Sequence, residues 1–346
     1  MVYVIVFGAN SYEQEISIVS AIVLNSKIKD DKVFIFCSDD REFYLIDKND
    51  MRSIYFANKD YLKAKKLTLK QGGFYTEKTI FKGETKIEFD VAINIIHGRD
   101  GEDGKIASLF DFYGIKYIGP RVDASVLSFD KELTKLYAKN VGVNVLEYEC
   151  IRQDDDIKMS LPFILKPAKL GSSIGISIVK EQKDIVYAKD VAFEYDDKVL
   201  VEPFISNVKE YNLAGFYDGE NMHFSIIEEP KKDDFLDFEQ KYLSYNSNGV
   251  LEAELDEDVK NKMKEAFSKI YLPLFKGALI RCDFFVINNE VYLNEINPNP
   301  GSLANYLFAD FNKELSVLSR SIKTEKLLNI DYSYIRKINQ DSGKMQ

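Results

Sequence analysis

Arg281 and Asp283 stand two residues apart in one apolar run, and Glu295 and Asn297 stand two apart in the next, with Asn288-Asn289 between the runs. Side chains alternate across a strand, so a hairpin here turns each pair to a single face. Three oxygen-bearing side chains and a guanidinium then converge. Asp, Glu and Asn without His or Cys are hard oxygen donors, which selects Mg²⁺ or Mn²⁺ over zinc. Mg²⁺ bound by few carboxylates shares its shell with a phosphate-bearing substrate. Pro298, Pro300 and Gly301 stiffen the chain directly after these residues. A solvated polar strand face is the competing reading.

A second constellation runs from Lys166 through Pro167-Ala168-Lys169-Leu170-Gly171-Ser172-Ser173-Ile174 to Gly175. Its small, hydroxylated glycine loop can lay backbone N–H groups and hydroxyls over phosphates. The lysine precedes the glycines and a strand follows, so this is no Walker loop; a plain Gly-Ser turn is the alternative. His97-Gly98-Arg99-Asp100-Gly101-Glu102-Asp103-Gly104 follows an apolar run, at the strand end where open α/β sheets place ligands. No nucleophile motif accompanies the histidine, which argues against a hydrolase triad. Glu13 begins a helix, where it either answers the helix dipole or holds a substrate ammonium. Lys231 to Gly249 mixes lysines with Phe and Tyr, as a solvated loop or as a lid over a charged substrate.

The elements that position these residues follow from hydrophobic periodicity. Tyr3–Phe7 reads as a buried parallel strand, followed by a helix with a Ser11/Gln14 capping box and a stripe of Ile16, Val19, Ile22 and Val23. Strands are expected at Val33–Cys37, Phe43–Ile46 and Val91–Ile96, and a helix through Ile106, Leu109, Phe110 and Tyr113 that stops at Gly114. One charged helix from Val122 to Asn140 should carry Val126, Leu133, Leu136 and Tyr137 inward. Short strands follow at Val145–Ile151, Pro162–Pro167, Ile174–Val179 and Val199–Ile205, with a helix near Ile185–Tyr195. Beyond them come strands Tyr211–Phe216 and His223–Glu228, a helix Asp256–Phe275, the hairpin Leu279–Asn297, an amphipathic stretch Ala304–Leu328 and a loose tail beyond Asn339.

With 346 residues the chain exceeds what one core supports, so two or three domains are expected. Lysine plus arginine number 46 against 56 acidic residues, a net charge of −10, which excludes a general nucleic-acid or anionic-membrane binder. The three cysteines, Cys37, Cys150 and Cys282, lie far apart, without disulfide or zinc spacing, and fit a reducing compartment. No stretch reads as a signal peptide or membrane span, so a soluble cytoplasmic protein is expected.

Five ordered motifs together resemble the D-alanine–D-alanine ligase family of ATP-grasp enzymes. Gly8-Ala9-Asn10-Ser11-Tyr12-Glu13-Gln14-Glu15-Ile16-Ser17 is similar to its opening signature, and His97 to Gly104 to its His-Gly-x-x-Gly-Glu-Asp-Gly signature. Asp130-Lys131, the Lys166 to Gly175 loop, and Arg281, Asp283, Asn294 to Asn297 with Pro300-Gly301 complete the set. The resemblance implies an ATP-grasp fold of mixed α/β and α+β class. Its parts would be an N-terminal open parallel α/β domain (1–120), a small central α+β domain (121–202) and a C-terminal sheet-based domain (203–346) with a lid at 231–249.

It further implies that the carboxylate of one D-alanine attacks the ATP γ-phosphate and that the amine of a second displaces phosphate from the acyl phosphate, a step in peptidoglycan precursor synthesis. By that analogy Glu13 holds the first ammonium and is linked through Ser172 to Tyr242 on the lid, and His97 lies near the first substrate. Lys131, Lys166 and Ser173 grip phosphates, Glu202 and Phe204 belong to the adenine hinge, and Glu210 reaches the ribose. Asp283, Glu295 and Asn297 bind two Mg²⁺ ions, for which Mn²⁺ can substitute, while Arg281 and the Gly301 N–H support the oxyanion. Gln14 departs from the common histidine, and Tyr306 stands where a serine commonly meets the second substrate's carboxylate. Lys241 beside Tyr242 favours D-alanine over D-lactate as acceptor. Beyond that near alternative stand a non-catalytic ATP-binding module, disfavoured by Arg281, and a dehydrogenase, disfavoured by the missing glycine fingerprint. Expected partners are ATP, two D-alanine molecules and a second copy in a homodimer, with neither nucleic acid nor membrane.

Overall fold

The computed structural model describes residues 1–78, 83–230, 252–323 and 328–342. Strand β1 (Val2–Gly8) is apolar along its length and almost wholly buried, as a strand covered on both faces must be. After helix α1 (Gln14–Lys27), strand β2 (Asp31–Cys37) lies parallel to β1. Strand β3 (Phe43–Ile46), helix α2 (Ser53–Ala57) and strands β4 (Lys65–Lys70) and β5 (Gly73–Thr76) extend that side, each strand antiparallel to its neighbour. On the other side β6 (Val91–Asn94) and, after helix α3 (Lys105–Phe112), β7 (Tyr117–Ile118) continue in parallel. The order is β5-β4-β3-β2-β1-β6-β7. The sheet is thus parallel only in the half that carries β1 and β6. The short connection between β2 and β3 closes a hairpin, whereas parallel neighbours need helical crossovers.

Two helices replace the single one expected between Val122 and Asn140: α4 (Val122–Phe129) and α5 (Lys131–Asn140). Asp130 ends the first and caps the second, its carboxylate accepting the N–H groups of Glu132 at 3.0 Å and Leu133 at 3.3 Å. The break shifts the helical phase. Val126, Leu133 and Leu136 consequently face outward, and Ala124, Ser125, Thr134, Lys135 and Ala138 face inward. Tyr137 alone of the expected stripe turns in, donating its O–H to the Ile270 carbonyl at 2.7 Å.

The expected strand Val145–Ile151 also divides, into β8 (Asn144–Val145) and β9 (Glu149–Ile151). Strands β10 (Phe163–Pro167) and β11 (Ser177–Val179), helix α6 (Ile185–Phe193) and strand β12 (Val199–Pro203) join β9 in an antiparallel sheet ordered β11-β10-β12-β9. Strands β13 (Lys209–Tyr217) and β14 (Met222–Glu228), helix α7 (Glu257–Leu274), and strands β15 (Ile280–Ile287) and β16 (Glu290–Asn297) form the last unit. That sheet runs β14-β13-β15-β16-β8, with β8 parallel to β16. Phe267, Ile270 and Tyr271 of α7 are fully buried in one core with Leu213, Phe284 and Leu293 of the sheet. Within the amphipathic stretch expected over Ala304–Leu328 lies α8 (Phe311–Ser321), residues 324–327 being outside the described ones, and α9 (Ser333–Ser342) runs three residues into the tail that was expected to be loose beyond Asn339. The expected lid from Lys231 to Gly249 lies outside the described residues.

Candidate active site

Asn288 and Asn289 turn the β15–β16 hairpin with φ of 52° and 61°, the left-handed pair that a two-residue hairpin requires. The turn sets the register. Arg281 pairs with Asn297 and Asp283 with Glu295, so the four side chains anticipated on one face meet there. Arg281 grips Asp283 through both carboxylate oxygens, Nε at 2.7 Å and Nη2 at 2.8 Å, and Asn297 Nδ2 donates to Asp283 Oδ2 at 3.0 Å. Burial pushes the Asp283 carboxyl up to about 7 against the pull of Arg281, with Glu295 and Glu210 adding to the rise. Glu295 is half-buried, and although desolvation works to raise it, Lys131, Lys166 and Arg281 hold its carboxyl below the usual range.

This donor set fits a divalent cation: two carboxylates and an amide oxygen, hard donors all, converge where burial leaves negative charge incompletely compensated. Among the described residues no three His, Cys, Asp or Glu side chains gather into a metal cluster.

A ladder of lysines borders the hairpin. Lys166 Nζ pairs with Glu202 Oε2 at 2.7 Å and donates to Asn294 Oδ1 at 3.4 Å, and Lys135 pairs with the other Glu202 oxygen. Burial would raise the Glu202 carboxyl, but the two lysines bring it down to about 2. Lys131 donates to the Leu170 carbonyl, and burial pushes its ammonium pKa down although Glu295 lies nearby. Glu210 accepts from Asn294 Nδ2 at 3.5 Å, tying the expected ribose residue to the same wall. Phe204 follows β12, its N–H donating to the Pro162 carbonyl at 3.0 Å. Lys135 carried no signal in the sequence beyond its place on a charged helix. It is 2% exposed.

The third part of the site joins segments remote in sequence. Ser172 Oγ donates to Glu13 Oε1 at 2.6 Å across 159 residues, bringing the Gly-Ser loop against the N-terminus of α1. Gly98 and Gly171 permit that approach, since a Cβ on either would collide with the Glu13 carboxylate. The Ser11/Gln14 capping box does not form. Ser11 Oγ accepts the Glu13 N–H at 3.1 Å, and Gln14 Nε2 turns back to the Ala9 carbonyl at 2.7 Å. Glu13 therefore keeps its carboxylate for Ser172, and burial pushes its pKa up.

Glu102, read only as part of a motif, is also in this group. It accepts the Gly98 N–H at 2.9 Å, and burial, reinforced by Glu13, pushes its carboxyl well above the ordinary value. His97 is buried against Ser20, and burial next to Arg281 lowers its imidazole pKa to about 4.

The remaining candidates fall around this centre. Gly301 opens a tight turn that runs to Leu307, and Ser173 is exposed on the glycine loop with φ of 59°. Tyr306 donates to Glu228 Oε2 at 3.4 Å, which also accepts Asn212 Nδ2 at 3.0 Å. Glu228 had no sequence signal. Lys241 and Tyr242 lie outside the described residues.

Comparison with known proteins covers the whole of this arrangement. Residues 2–120 match the family model described as D-ala D-ala ligase N-terminus, and residues 137–319 match that described as D-ala D-ala ligase C-terminus. The chain is 60% identical over 348 aligned positions to the D-alanine–D-alanine ligase of Campylobacter lari, covering 100% of both proteins. It is 59% identical, at the same coverage, to that of Campylobacter jejuni subsp. jejuni. A crystal structure of the D-alanine–D-alanine ligase from Helicobacter pylori superposes with a TM-score of 0.84 at 47% identity, covering 94% of this chain and 100% of that one. These names do not favour the D-lactate acceptor weighed from the sequence. With both halves of the chain matched and a relative 60% identical over its full length, this protein belongs to the D-alanine–D-alanine ligase family.

Proposed function

We propose that the protein joins two molecules of D-alanine into D-alanyl-D-alanine at the expense of ATP, through an acyl phosphate, as a step in peptidoglycan precursor synthesis. The observation that carries this reading is the 2.6 Å bond from Ser172 to Glu13, which sets an ammonium-binding carboxylate beside a phosphate-binding loop. Glu13 holds the ammonium of the first D-alanine and so aims its carboxylate at the γ-phosphate. Lys131 and Lys166 neutralise the phosphates, with Ser173 and the loop backbone as further donors. Glu202, Phe204 and Glu210 receive the nucleoside.

Asp283, Glu295 and Asn297 are the residues that would hold two Mg²⁺, or Mn²⁺, whose charge would screen the phosphate oxygens. Arg281, oriented by its two bonds to Asp283, presents its remaining N–H donors with the Gly301 N–H to the oxyanion formed when the second amine attacks. Tyr306 and Lys241 border the second D-alanine. By the family resemblance, Tyr242, outside the described residues, would join Ser172 when a lid covers the acyl phosphate.

The same reading has the enzyme work as a cytoplasmic homodimer. Exposed Leu109, Phe112, Val126, Leu133 and Leu136 on α3 to α5 support an apolar contact, and no described helix is long and apolar enough to cross a membrane. The deciding experiment is phosphate release from ATP with D-alanine, D-lactate and L-alanine offered separately and in pairs. Release driven by D-alanine alone supports the assignment. Release that requires D-lactate, or is indifferent to the amino acid, defeats it.

A further inference from the structure

Ser20 sits on α1 where three segments meet, fully enclosed. Its Oγ accepts the Ser302 N–H at 3.1 Å and lies 3.1 Å from His97 Nε2. Neither the Ser20 hydroxyl nor the His97 ring has another hydrogen-bond partner among the described residues. A hydroxyl carries one proton, and the Ser302 N–H can only donate, so Nε2 is the sole acceptor left for the Ser20 O–H. Were Nε2 protonated instead, it would donate to Ser20 and leave the hydroxyl proton buried without an acceptor. In a neutral imidazole a bare Nε2 requires the proton on Nδ1.

We propose that Ser20 is a positioning residue for the ligation. By donating to Nε2 it fixes His97 as the Nδ1–H tautomer, a donor for a carboxylate or acyl-phosphate oxygen of the first substrate. This rests on the reading that places the first D-alanine beside His97. Neutrality of the ring follows from burial and from Arg281, which hold its pKa near 4. The Ser20 hydroxyl also ties the histidine to the segment Ser302, Leu303 and Ala304, whose φ values of 49°, 53° and 45° are left-handed for three non-glycine residues in succession. Such a segment persists only where its surroundings hold it, and the Ser302 N–H is one of its anchors. One hydroxyl therefore fixes both the histidine proton and the turn that begins at Gly301.

The chain has only two histidines, His97 and His223, so nitrogen-15 histidine labelling of the full-length protein gives a spectrum simple enough to assign with His97→Asn. At neutral pH His97 is expected to show a bare Nε2 and a protonated Nδ1. Ser20→Ala should release the ring into a tautomer mixture and lower kcat/KM for D-alanine about ten- to a hundredfold, with the KM for ATP unchanged. His97→Asn, whose amide nitrogen falls near the Nδ1 position, should retain more activity than His97→Gln, whose amide reaches toward Nε2. A wild-type spectrum with Nε2–H or an imidazolium overturns the proposal, as does a Ser20→Ala spectrum identical to wild type. If Ser20→Ala does not fold, the wild-type tautomer still decides. The spectrum is read without turnover: an Nδ1–H histidine in a protein inactive toward D-alanine would refute the ligase reading, and with it the role in ligation, while leaving the tautomer fixed by Ser20.

Discussion

The β15–β16 hairpin and the Glu13–Ser172 contact assemble their chemistry in opposite ways. In the hairpin, Arg281, Asp283, Glu295 and Asn297 are within seventeen positions of one another, and strand alternation with a two-residue turn brings them to one face. Three side-chain hydrogen bonds then fix Asp283 from both strands. At the other end, Glu13 and Ser172 meet through a bond of 2.6 Å, made possible by glycines on either side and by the approach of loops that belong to two separate sheets. Local geometry determines the first arrangement, tertiary packing the second. The hairpin should therefore tolerate isosteric change in its fold while losing chemistry outright, and the contact should respond to anything that alters closure.

The largest effect should come from the hairpin. Glu295→Gln and Asp283→Asn each remove a formal charge from the proposed cation site without changing shape, and should lower kcat by about a hundred- to a thousandfold. Thermal unfolding should remain close to wild type. Near wild-type kcat at saturating Mg²⁺ would break the ligand assignment and with it the contrast.

The next effect concerns the tertiary region. His97 has its imidazole pKa lowered from 6.5 to about 4 by burial and by Arg281. Between those values the unfolded chain binds more protons than the folded one, so folding stability is complete above pH 6.5 and is lost as pH falls toward 4. The loss should be about 3 kcal/mol. Urea unfolding at pH 7 and pH 4.5, compared between wild type and His97→Gln, isolates it. Equal pH dependence in the two proteins would mean that the ring is not held neutral by burial.

Those two regions also differ in how much could be read beforehand. The hairpin was legible because a period of two is written directly in Arg281-x-Asp283 and Glu295-x-Asn297, and Asn288-Asn289 marks the turn. β4 and β5 escaped notice because both are short, Lys65–Lys70 carries only two apolar residues, and β5 is the sheet's antiparallel edge. The helix from Val122 to Asn140 misled because Asp130 reads as one more charged residue until its carboxylate is seen to cap α5. That shift of phase buries Lys135, whose role depends on Glu202 arriving from another sheet. Ser20 and Glu228 belong to the same class. A serine in a helix and a glutamate in a strand acquire meaning only when Ser302 and Tyr306 come to them.

A smaller effect sharpens the comparison at the pair of lysines on Glu202. Lys166→Ala removes one of the two cations on Glu202 and the proposed phosphate grip, and should cost about 2 kcal/mol of ATP affinity by calorimetry. Both an elevated KM for ATP and a lowered kcat are expected. Unaltered affinity would reduce the loop from Lys166 to Gly175 to a structural turn.

The smallest single effects belong to the contact itself. Ser172→Ala should cost about 1 to 2 kcal/mol in kcat/KM for D-alanine, because the buried Glu13 carboxylate loses a donor. Combined with Tyr242→Phe it should cost less than the sum of the two, as members of one network do. Strict additivity would disconnect the lid tyrosine from the contact.

Central to the whole account is the transfer of phosphate to a D-alanine carboxylate, and it can be followed atom by atom. The protein is supplied with ATP, Mg²⁺ and D-alanine carrying oxygen-18 in its carboxylate, and the released phosphate is weighed by mass spectrometry. If an acyl phosphate forms, the carboxylate oxygen that attacked phosphorus leaves with the phosphate when the second amine displaces it. The account predicts one labelled oxygen in each phosphate released and one dipeptide for each phosphate. Unlabelled phosphate accompanying dipeptide formation would contradict it.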